Sequence, residues 1–354
     1  MKERIVYLDI LRIVAIVAII SLHVSGGYLS FLSLPKDYNW WKYSVLIDVM
    51  AKWGSAVFLM ISGALMLAPH KSQPIGYFLK HRFVRIVIPF VVWVVIYKLV
   101  QPADVDFFSL ETYTGILRHI VTGNLPYHMW FVYMIFAMYL ITPVVSVFMN
   151  NASESVLKYY FVFWFVSSVF PQFCTYYCNI SLGIEPYLTL HLYAGFYMLG
   201  YYLHTHIIRL PKAIYLLIPF GMILNFYLTK QASFSIEKTD FFYLSRFSVW
   251  NVVNAMLIFH AFQRIPWKKY ISSNILPHIT TISVLSYGVF LSHVLIIWIF
   301  DKGLLGVKLI GYNIFGTPVE LYTGFAVIIV VVSIVSFGVC YVLSKIPYVR
   351  KMVM

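Results

Sequence analysis

The chain has few charged residues. Asp, Glu, Lys and Arg make up 11% of its 354 residues, whereas hydrophobic types make up 61%. Soluble domains carry about 25% charged residues and roughly half apolar ones. The composition therefore excludes an ordinary soluble globular protein and indicates an integral membrane protein.

The sequence also lacks the alternation of apolar and polar residues that marks a transmembrane β-barrel. It contains instead about ten apolar stretches, most near the ~20 residues that a spanning helix needs, joined by short polar connections. The predicted membrane-spanning helices are 8–29, 44–68, 84–101, 128–149, 156–174, 187–205, 212–229, 246–263, 281–301 and 322–344. We therefore expect an all-α bundle of about ten transmembrane helices, with residues 1–354 forming a single polytopic domain.

Cysteine is scarce, with three residues in the chain, so no disulfide framework is expected. Cys174 and Cys178 lie four residues apart near a predicted outer helix end, where they either pair or serve as apolar packing residues. A metal site is not expected, because His204 and His206 form a short pair with no nearby cluster of Cys or carboxylate residues.

Acidic residues are half as numerous as basic ones, 13 against 26, which gives a net charge of +13. Such an excess suggests nucleic acid as a partner, but its distribution follows the membrane. With the N-terminus in the cytoplasm, basic residues on the inner side outnumber those on the outer side roughly two to one, as the positive-inside rule requires. We expect cytoplasmic termini, contacts with membrane lipids and no nucleic acid partner.

Arg12 and His23 interrupt the first apolar run. They are eleven residues apart, close to three helical turns, so they share one helix face. The run is long and lacks a small-residue cleavage site, which predicts a helix rather than a signal peptide. Asp9, three residues before Arg12, is interpreted as its charge partner. Ionisable residues inside a membrane helix are costly and therefore candidates for function.

Further polar residues are predicted at the depth of His23. Asp48 and Lys52 have the i, i+4 spacing of an ion pair. Lys52 and His23 are expected ~12 and ~9 Å from the outer ends of their helices, which places them in one layer. His293 lies about twelve residues into its predicted helix, at a similar depth. Two histidines at one depth favour a site over separate packing residues.

Two motifs are open to two interpretations. Arg82 and Arg85 are three residues apart at the predicted inner mouth. Their planar guanidinium groups suit phosphate oxygens, but such a pair is also typical of a positive-inside anchor. His128 and Trp130 begin a predicted helix. Both residue types are common interfacial anchors, so this pair is either such an anchor or part of a functional site.

Taken in order, these motifs resemble the acyltransferase-3 family of membrane acyltransferases. The resemblance covers most of the chain and rests on Tyr7-Leu8-Asp9-Ile10-Leu11-Arg12 followed by His23, on Phe58-Leu59-Met60-Ile61-Ser62-Gly63, on Arg82-x-x-Arg85, on His128-Met129-Trp130-Phe131 and on Tyr287-x-x-Phe290-x-x-His293. Around His128 and Thr142-Pro143 the chain is most similar to sugar O-acetyltransferases of the enterobacterial-common-antigen type. It departs from many relatives at Phe290, where they often have Tyr, and at Lys52, where they often have Arg.

The resemblance implies a multi-pass enzyme of the bacterial inner membrane. Such an enzyme moves an acyl group, expected to be acetyl, from cytoplasmic acyl-CoA to a hydroxyl of a lipid-linked or surface polysaccharide sugar, with acetyl-CoA as substrate and no tightly bound cofactor. The implied catalytic residues are His23 and Arg12, and the implied charge partners are Asp9 and Asp48. The implied substrate-binding residues are Arg82, Arg85, Lys52, His128, Trp130, Tyr287 and His293.

Two alternatives stay open at this stage. His23 either deprotonates the acceptor hydroxyl or carries the acyl group covalently across the membrane. A transporter or flippase that moves a polysaccharide intermediate without acyl transfer is the alternative function, because buried Arg, His and Lys also suit a polar pathway.

Overall fold

Helices dominate the fold. The computed structural model describes residues 5–29, 32, 34–68, 74–100, 109–180, 182–183, 185–302, 307–308, 313–314, 317–318, 321–347 and 349–350. The helices are α1 (Val6–Leu29), α2 (Tyr38–Ala51), α3 (Gly54–Met66), α4 (Ile75–Val100), α5 (Leu110–Thr122), α6 (Trp130–Asn151), α7 (Glu154–Tyr177), α8 (Glu185–Thr205), α9 (Leu217–Ser235), α10 (Val249–Arg264), α11 (Trp267–Tyr270), α12 (Leu276–Asp301) and α13 (Leu321–Lys345). Two 3-10 segments, Tyr127–Met129 and Lys212–Leu216, lead into α6 and α9.

The strands in the described part of the chain are short. They are β1 (Val307–Lys308), β2 (Asn313–Ile314) and β3 (Thr317–Pro318), which pair antiparallel in that order. Ile314 pairs with Val307 on one side and with Thr317 on the other. This small sheet follows α12 and leaves the helical fold class unchanged.

All ten predicted segments lie on helices. Within the described ranges, seven segments are long and apolar enough to cross a membrane, namely Val6–Gly26, Tyr38–Met66, Ile75–Val100, Tyr127–Asn151, Lys212–Ser235, Leu276–Asp301 and Gly324–Lys345. The helices α7, α8 and α10 are not among these seven, and α10 has only 16 residues. A multi-pass helical membrane protein is therefore supported, whereas the total of about ten spans and the cytoplasmic termini stay predictions.

The predicted helix 44–68 is two helices in the structure. Lys52 and Trp53 form a turn between α2 and α3, and the Trp53 indole donates to the Met50 carbonyl at 2.6 Å. Gly54 then begins α3 against α1, where an added Cβ would lie 3.0 Å from the carbonyl oxygen of Ala15. The missing side chain at Gly54 thus lets the two helices approach closely.

The helix α5 was not predicted from the sequence. Ser109 caps it by accepting a hydrogen bond from the Glu111 amide, and Gly123 ends it with a left-handed φ of 71°. Its apolar residues Leu110, Leu117 and Val121 lie on one face and are all exposed. At 13 residues it is too short to span a bilayer, which explains why a search for ~20-residue runs misses it.

The chain forms two compact units. Unit 1 comprises Met1–His70, Thr142–Ser283 and Val319–Val330, and unit 2 comprises Lys71–Ile141, Val284–Pro318 and Val331–Met354. In unit 1, α3 and α8 pack backbone against backbone. A Cβ at Gly63 would overlap the carbonyl of Tyr197, and a Cβ at Gly200 would overlap that of Met60.

The core of unit 2 is built from aromatic residues of α4, α6 and α12. Tyr97, Phe131 and Phe290 are all buried. The rings of Phe131 and Phe290 lie 5.2 Å apart between their centroids. Aromatic pairs at such distances contribute packing beyond the apolar area that they bury.

The three cysteines carry free thiols. Cys174 is buried and Cys178 is exposed, so of the two interpretations of this pair the disulfide is wrong. Cys174 acts as a small apolar packing residue near the end of α7.

Candidate functional site

The structure places Arg12 and His23 on one uninterrupted helix. Both lie on α1 in unit 1, and both are half-buried. His23 lies six residues before the end of α1 at Leu29, about 9 Å along the axis. The predicted shared stripe is therefore compatible with the observed helix.

Asp48, near the end of α2, and Lys52, which directly follows α2, form an ion pair. The Lys52 ammonium donates a hydrogen bond to Oδ1 of Asp48 at 3.1 Å and lies within ion-pair distance of Oδ2 at 3.0 Å. The Asp48 side chain is 4% exposed and that of Lys52 is 15% exposed. A buried carboxylate requires such a partner, because removing an ion from water costs several kcal/mol.

Two contacts define the register of α2 and α3 along α1. A Cβ added at Gly26 would lie 3.9 Å from Oδ1 of Asp48, near the end of α1. The start of α3, at Gly54, contacts α1 at Ala15, more than two turns before Gly26. The helices α2 and α3 therefore run antiparallel to α1. Lys52, one turn beyond Asp48, therefore lies within about one helical turn of the level of His23. The imidazole and the ion pair share one layer of unit 1.

Asp9 joins α1 to α12 within unit 1. Its Oδ1 accepts a hydrogen bond from the Ser283 hydroxyl at 2.7 Å, and its Oδ2 accepts one from Thr280 at 3.5 Å. The sequence interpretation named only Arg12 as the partner of this carboxylate. Two hydroxyl donors from a helix about 270 residues later are a contact that only the folded chain reveals.

Clefts open beside this end of α1. One of about 340 Å³ is lined by Asp9, Lys268 and Thr280, among others, and a second of about 620 Å³ is lined by Tyr7, Trp267 and Lys268, among others. Lys268 lines both clefts, so they adjoin. The start of α1 is thus accessible to an anionic or amphipathic molecule.

Arg82 and Arg85 lie on α4 in unit 2, because the helix begins at Ile75, nine residues earlier than predicted. Arg82 is half-buried and its guanidinium carbon lies 5.7 Å from the ring centroid of Phe78, a cation–π contact. It also lines a cleft of about 250 Å³ with Phe83, Phe136 and Tyr139. Arg85 is exposed.

Tyr287 ties α12 to α4. Its hydroxyl donates to the carbonyl of Ile86 at 2.9 Å. Since a phenol has one proton, this bond commits the donor of Tyr287 to the backbone and leaves only its oxygen lone pairs for a substrate. Ile86 directly follows Arg85, so the same contact fixes the turn of α4 that carries the arginine pair.

His128 and His293 form a buried pair in unit 2. His128 is 1% exposed, His293 is 0% exposed, and their ring centroids lie 5.2 Å apart in an edge-to-face arrangement. His128 precedes α6 in a 3-10 segment, and His293 lies eight residues before the end of α12. This burial does not match the interfacial anchor that was one interpretation of His128. Trp130 begins α6 and is half-buried against Phe131.

Tyr97 is the residue of this region that sequence reasoning missed. It lies near the end of α4, is 1% exposed, and contacts His128 and the backbone of α12. In the sequence it is one aromatic residue among Val, Ile and Trp, which is typical of an interfacial belt. Nothing in the local pattern indicates its long-range partners.

No group of three or more His, Cys, Asp or Glu residues suited to a metal ion occurs within the part of the chain that the structure describes. The polar residues gather instead as an ion pair near an imidazole in unit 1 and as a tyrosine with two histidines in unit 2.

Comparison with known proteins supplies the family. A family model described as an acyltransferase domain matches residues 5–345. No curated protein and no solved structure matches the chain. The match covers nearly all of the sequence and includes every motif on which the resemblance rested. The chain therefore belongs to the acyltransferase-3 family of membrane acyltransferases.

Proposed function

We propose that the protein is an O-acyltransferase that moves an acyl group, expected to be acetyl, from acyl-CoA to a hydroxyl of a sugar in a lipid-linked or surface polysaccharide. The observation that carries this proposal is the family match over residues 5–345. The layer of unit 1 that holds His23 level with an Asp48–Lys52 ion pair supports it, because acyl transfer to a hydroxyl needs a base and a positive charge.

In the proposed reaction, His23 takes the proton of the acceptor hydroxyl while the oxygen of that hydroxyl attacks the thioester carbonyl. The new oxygen–carbon bond forms, the carbon–sulfur bond breaks, and the imidazolium returns the proton to the departing sulfur of coenzyme A. Imidazole suits this task because its ordinary pKa, about 6.5, allows it to accept and release a proton near neutral pH. Arg12 positions the donor or stabilises the oxyanion, and Lys52 assists in orienting the acceptor.

The donor is proposed to bind through its phosphates at Arg82 and Arg85. A guanidinium group donates several hydrogen bonds in one plane and matches phosphate oxygens. The cleft at Arg82 adds the aromatic rings of Phe83, Phe136 and Tyr139, which suit a stacked purine. Acetyl-CoA acts here as a substrate, and the proposal involves no tightly bound cofactor.

The finer assignments belong to the same proposal. We place the protein in a bacterial inner membrane with both termini in the cytoplasm, on the charge distribution of its connections. We also infer an acceptor of the enterobacterial-common-antigen type, on the sequence around His128 and Thr142-Pro143. Mass spectrometry of surface glycans from cells with and without the gene tests the acceptor. Loss of an acetyl mass increment supports the proposal, and unchanged glycans contradict it.

Transfer of label from radiolabelled acetyl-CoA into membrane glycans tests the catalytic role of His23. The transfer rate of the His23→Gln variant is expected to be about 100-fold or more below that of wild type, because a general base usually contributes that much. His278→Gln is the matched control, because His278 is an exposed histidine of the same unit. Robust transfer by His23→Gln with normal folding removes His23 from the mechanism.

The same assay separates the two mechanisms and the alternative function. Rapid denaturation at neutral pH of wild-type protein mixed with labelled acetyl-CoA and no acceptor retains label on His23 only if an acyl-histidine forms. A polysaccharide transporter consumes no acyl donor, so glycan export that persists without any acetyl transfer favours that function.

Replacing both Arg82 and Arg85 with Gln tests the donor site. The expected result is a raised KM for acetyl-CoA at a similar maximal rate, because the arginines bind a remote part of the donor. Arg118→Gln, an exposed arginine of α5, is the control for lost positive charge. An unchanged KM in the double variant would contradict the donor site and favour the interpretation of the two arginines as a positive-inside anchor.

A further inference from the structure

The helix α5 carries a row of exposed apolar side chains. Leu117 and Val121 follow Leu110 by seven and eleven residues, close to two and three helical turns, so the three lie in line along the helix. Leu110 and Val121 are each 77% exposed, and Leu117 is 61% exposed. All 13 residues of α5 are described, and none of them is buried. A contiguous row of this kind marks a surface that contacts something other than water.

A polar row runs beside the apolar one. Glu111, Arg118 and Thr122 each directly follow a residue of the apolar row, and all three are exposed. Consecutive residues of a helix lie about 100° apart around its axis, so the two rows are neighbours on the outward surface of α5. This division into an apolar and a polar side suits the boundary between lipid and water.

The last turn of α5 is attached to both helices that it connects. The hydroxyl of Tyr133, in the first turn of α6, donates to the Ile120 carbonyl at 2.6 Å. The ring of Tyr133 also packs edge-to-face against Phe90 of α4, with 5.4 Å between the ring centroids. Ile116 and Ile120, beside the apolar row, are half-buried. The helix is therefore held against unit 2 while its apolar row points away from it.

The position of α5 in the chain places it at a membrane surface. The segments Ile75–Val100 and Tyr127–Asn151 on either side of it are both long and apolar enough to cross a membrane. Two consecutive spanning helices end and begin at the same bilayer surface. At 13 residues, about 20 Å, α5 is too short to cross the bilayer itself. Leu99 and Val100, where α4 reaches this surface, are exposed as well.

We propose that α5 lies flat in the bilayer surface at which α4 ends, with its apolar row inserted among the acyl chains of that leaflet and its polar row in contact with headgroups and water. A phospholipid leaflet fits better than a second copy of the chain, because a stable protein interface uses about 20–30 residues on each side and the row offers three. This proposal does not depend on the acyl transfer proposed above.

The polar row indicates which lipids the helix needs. Glu111 and Arg118 carry opposite charges, so α5 has little net attraction to an anionic surface. Burial of the apolar row therefore holds the helix, and a zwitterionic leaflet is sufficient. The basic pair Lys268 and Lys269 differs in this respect, since its two charges have the same sign.

An α5 held in the surface also limits the depth of His128. Gly123 ends the helix, and the 3-10 segment Tyr127–Met129 begins four residues later. His128 is five residues from Gly123, so it lies at most about 18 Å of extended chain from the end of α5. The motif at the start of α6 is thereby kept near this surface of the bilayer.

Site-directed spin labelling of the full chain in phosphatidylcholine vesicles tests the proposal. Cysteines are introduced one at a time at Leu117 and Val121 of the apolar row, and at the neighbouring Arg118 and Thr122 as matched controls. The background is Cys178→Ser, because Cys178 is the exposed thiol whereas Cys174 and Cys340 are buried. Power saturation then compares the access of oxygen, which concentrates in the acyl chains, with that of a water-soluble nickel chelate. Ile88→Cys, exposed in the middle of α4, serves as the reference for the bilayer interior.

Labels at 117 and 121 are expected to be reached better by oxygen than by the nickel chelate, at a depth of about 5–10 Å past the headgroup boundary. Labels at 118 and 122 are expected to show the reverse order. Equal access of the nickel chelate to all four positions would overturn the proposal in favour of a helix in water. Exclusion of both reagents from 117 and 121 would overturn it in favour of a protein partner, including a second copy.

A charge placed on the apolar row tests whether this row holds the helix. In the Val121→Cys protein, Leu117→Glu is expected to raise the access of the nickel chelate to position 121, because a carboxylate is costly among acyl chains. Arg118→Glu, on the polar row, is the matched control and is expected to leave that access unchanged. Equal effects of the two substitutions would overturn the role of the row. If Leu117→Glu does not fold, the labels on the single-cysteine proteins still decide where α5 lies.

Lipid composition provides the last comparison. Replacing part of the phosphatidylcholine with phosphatidylglycerol is expected to leave the accessibility at 117 and 121 unchanged, because the charges of the polar row cancel. Insertion that occurs only with phosphatidylglycerol would overturn the assignment to the apolar row.

Discussion

The two units retain polar groups in opposite ways. In unit 1, Asp48 and Lys52 are both charged residues, and each compensates the other at about 3 Å. In unit 2, His128, His293 and Tyr97 bind backbone carbonyls of α12. The first cluster consists of opposite charges, and the second is built on hydrogen bonds to the backbone.

The difference teaches which chemistry each region suits. A charged layer near His23 suits the proposed acyl transfer, because fixed charges stabilise a developing oxyanion most strongly where water is excluded. Imidazole and phenol groups that bind backbone carbonyls form directional hydrogen bonds, which hold helices together rather than stabilise a charge.

Breaking the ion pair should have the largest effect. Asp48→Asn leaves the Lys52 ammonium without its counterion, and removal of one partner from a buried pair costs about 3–5 kcal/mol. We expect that loss in the free energy of unfolding in detergent. The double variant Asp48→Leu with Lys52→Met is expected to recover most of it. A double variant that is less stable than the single one contradicts the assignment of a mutually compensating pair.

The same substitution in each unit should then separate tight packing from loose packing. Gly63→Ala in unit 1 inserts a methyl group into the backbone of Tyr197, and overpacking of this kind costs about 1–3 kcal/mol. Gly338→Ala in unit 2 meets nothing within 4 Å and is expected to be neutral or slightly stabilising. Thermal unfolding of both variants in detergent decides the matter. Equal midpoints would show that α3 and α8 tolerate separation.

Removing a neutral hydrogen bond from unit 2 should cost less than breaking the ion pair of unit 1. Tyr287→Phe deletes the bond to the Ile86 carbonyl and is expected to lower the free energy of unfolding by about 0.5–1.5 kcal/mol. Tyr159→Phe, on an exposed ring of α7, is the control and is expected to change nothing. A loss for Tyr287→Phe as large as that for Asp48→Asn would contradict the contrast between the units.

A smaller effect is expected at an exposed carboxylate of unit 1. The Tyr202 hydroxyl at 2.6 Å and the ammonium of Lys158 lower the pKa of Glu154 below its ordinary value of 4.5. A lowered pKa in the folded state stabilises the protein above pH 4.5, and this contribution is lost as the pH falls through the folded value. Unfolding midpoints measured on the acid side of 4.5 should therefore fall less in Glu154→Gln than in wild type. Parallel pH dependences would show that Glu154 contributes nothing.

Much of the helical framework is predictable from the sequence. Runs such as Tyr322 to Val342 contain too many consecutive apolar residues for anything but a buried or membrane helix. Short or interrupted elements are not predictable in this way. The turn at Lys52 lies within a continuous apolar run, and α5 is only 13 residues long, so neither produces a strong signal.

The contacts of the candidate site are likewise only partly predictable from the sequence. The spacing of Asp48 and Lys52 is local, since helix geometry places residues four apart side by side, and the ion pair follows directly. The partners of Asp9, Tyr287 and Tyr97 lie about 200 or more residues away in the chain. No pattern within one helix specifies those contacts.

The amino-acid sequence alone determined that this is a helical membrane protein of the acyltransferase-3 family, because hydrophobic length and local motifs are properties of single segments. The tertiary structure decided which polar groups meet: the layer that His23 shares with Lys52, the hydroxyls that bind Asp9, and the packing of His128 against His293. The physical reason is that hydrogen bonds act over about 3 Å, and only the packing of helices distant in sequence brings donors and acceptors that close.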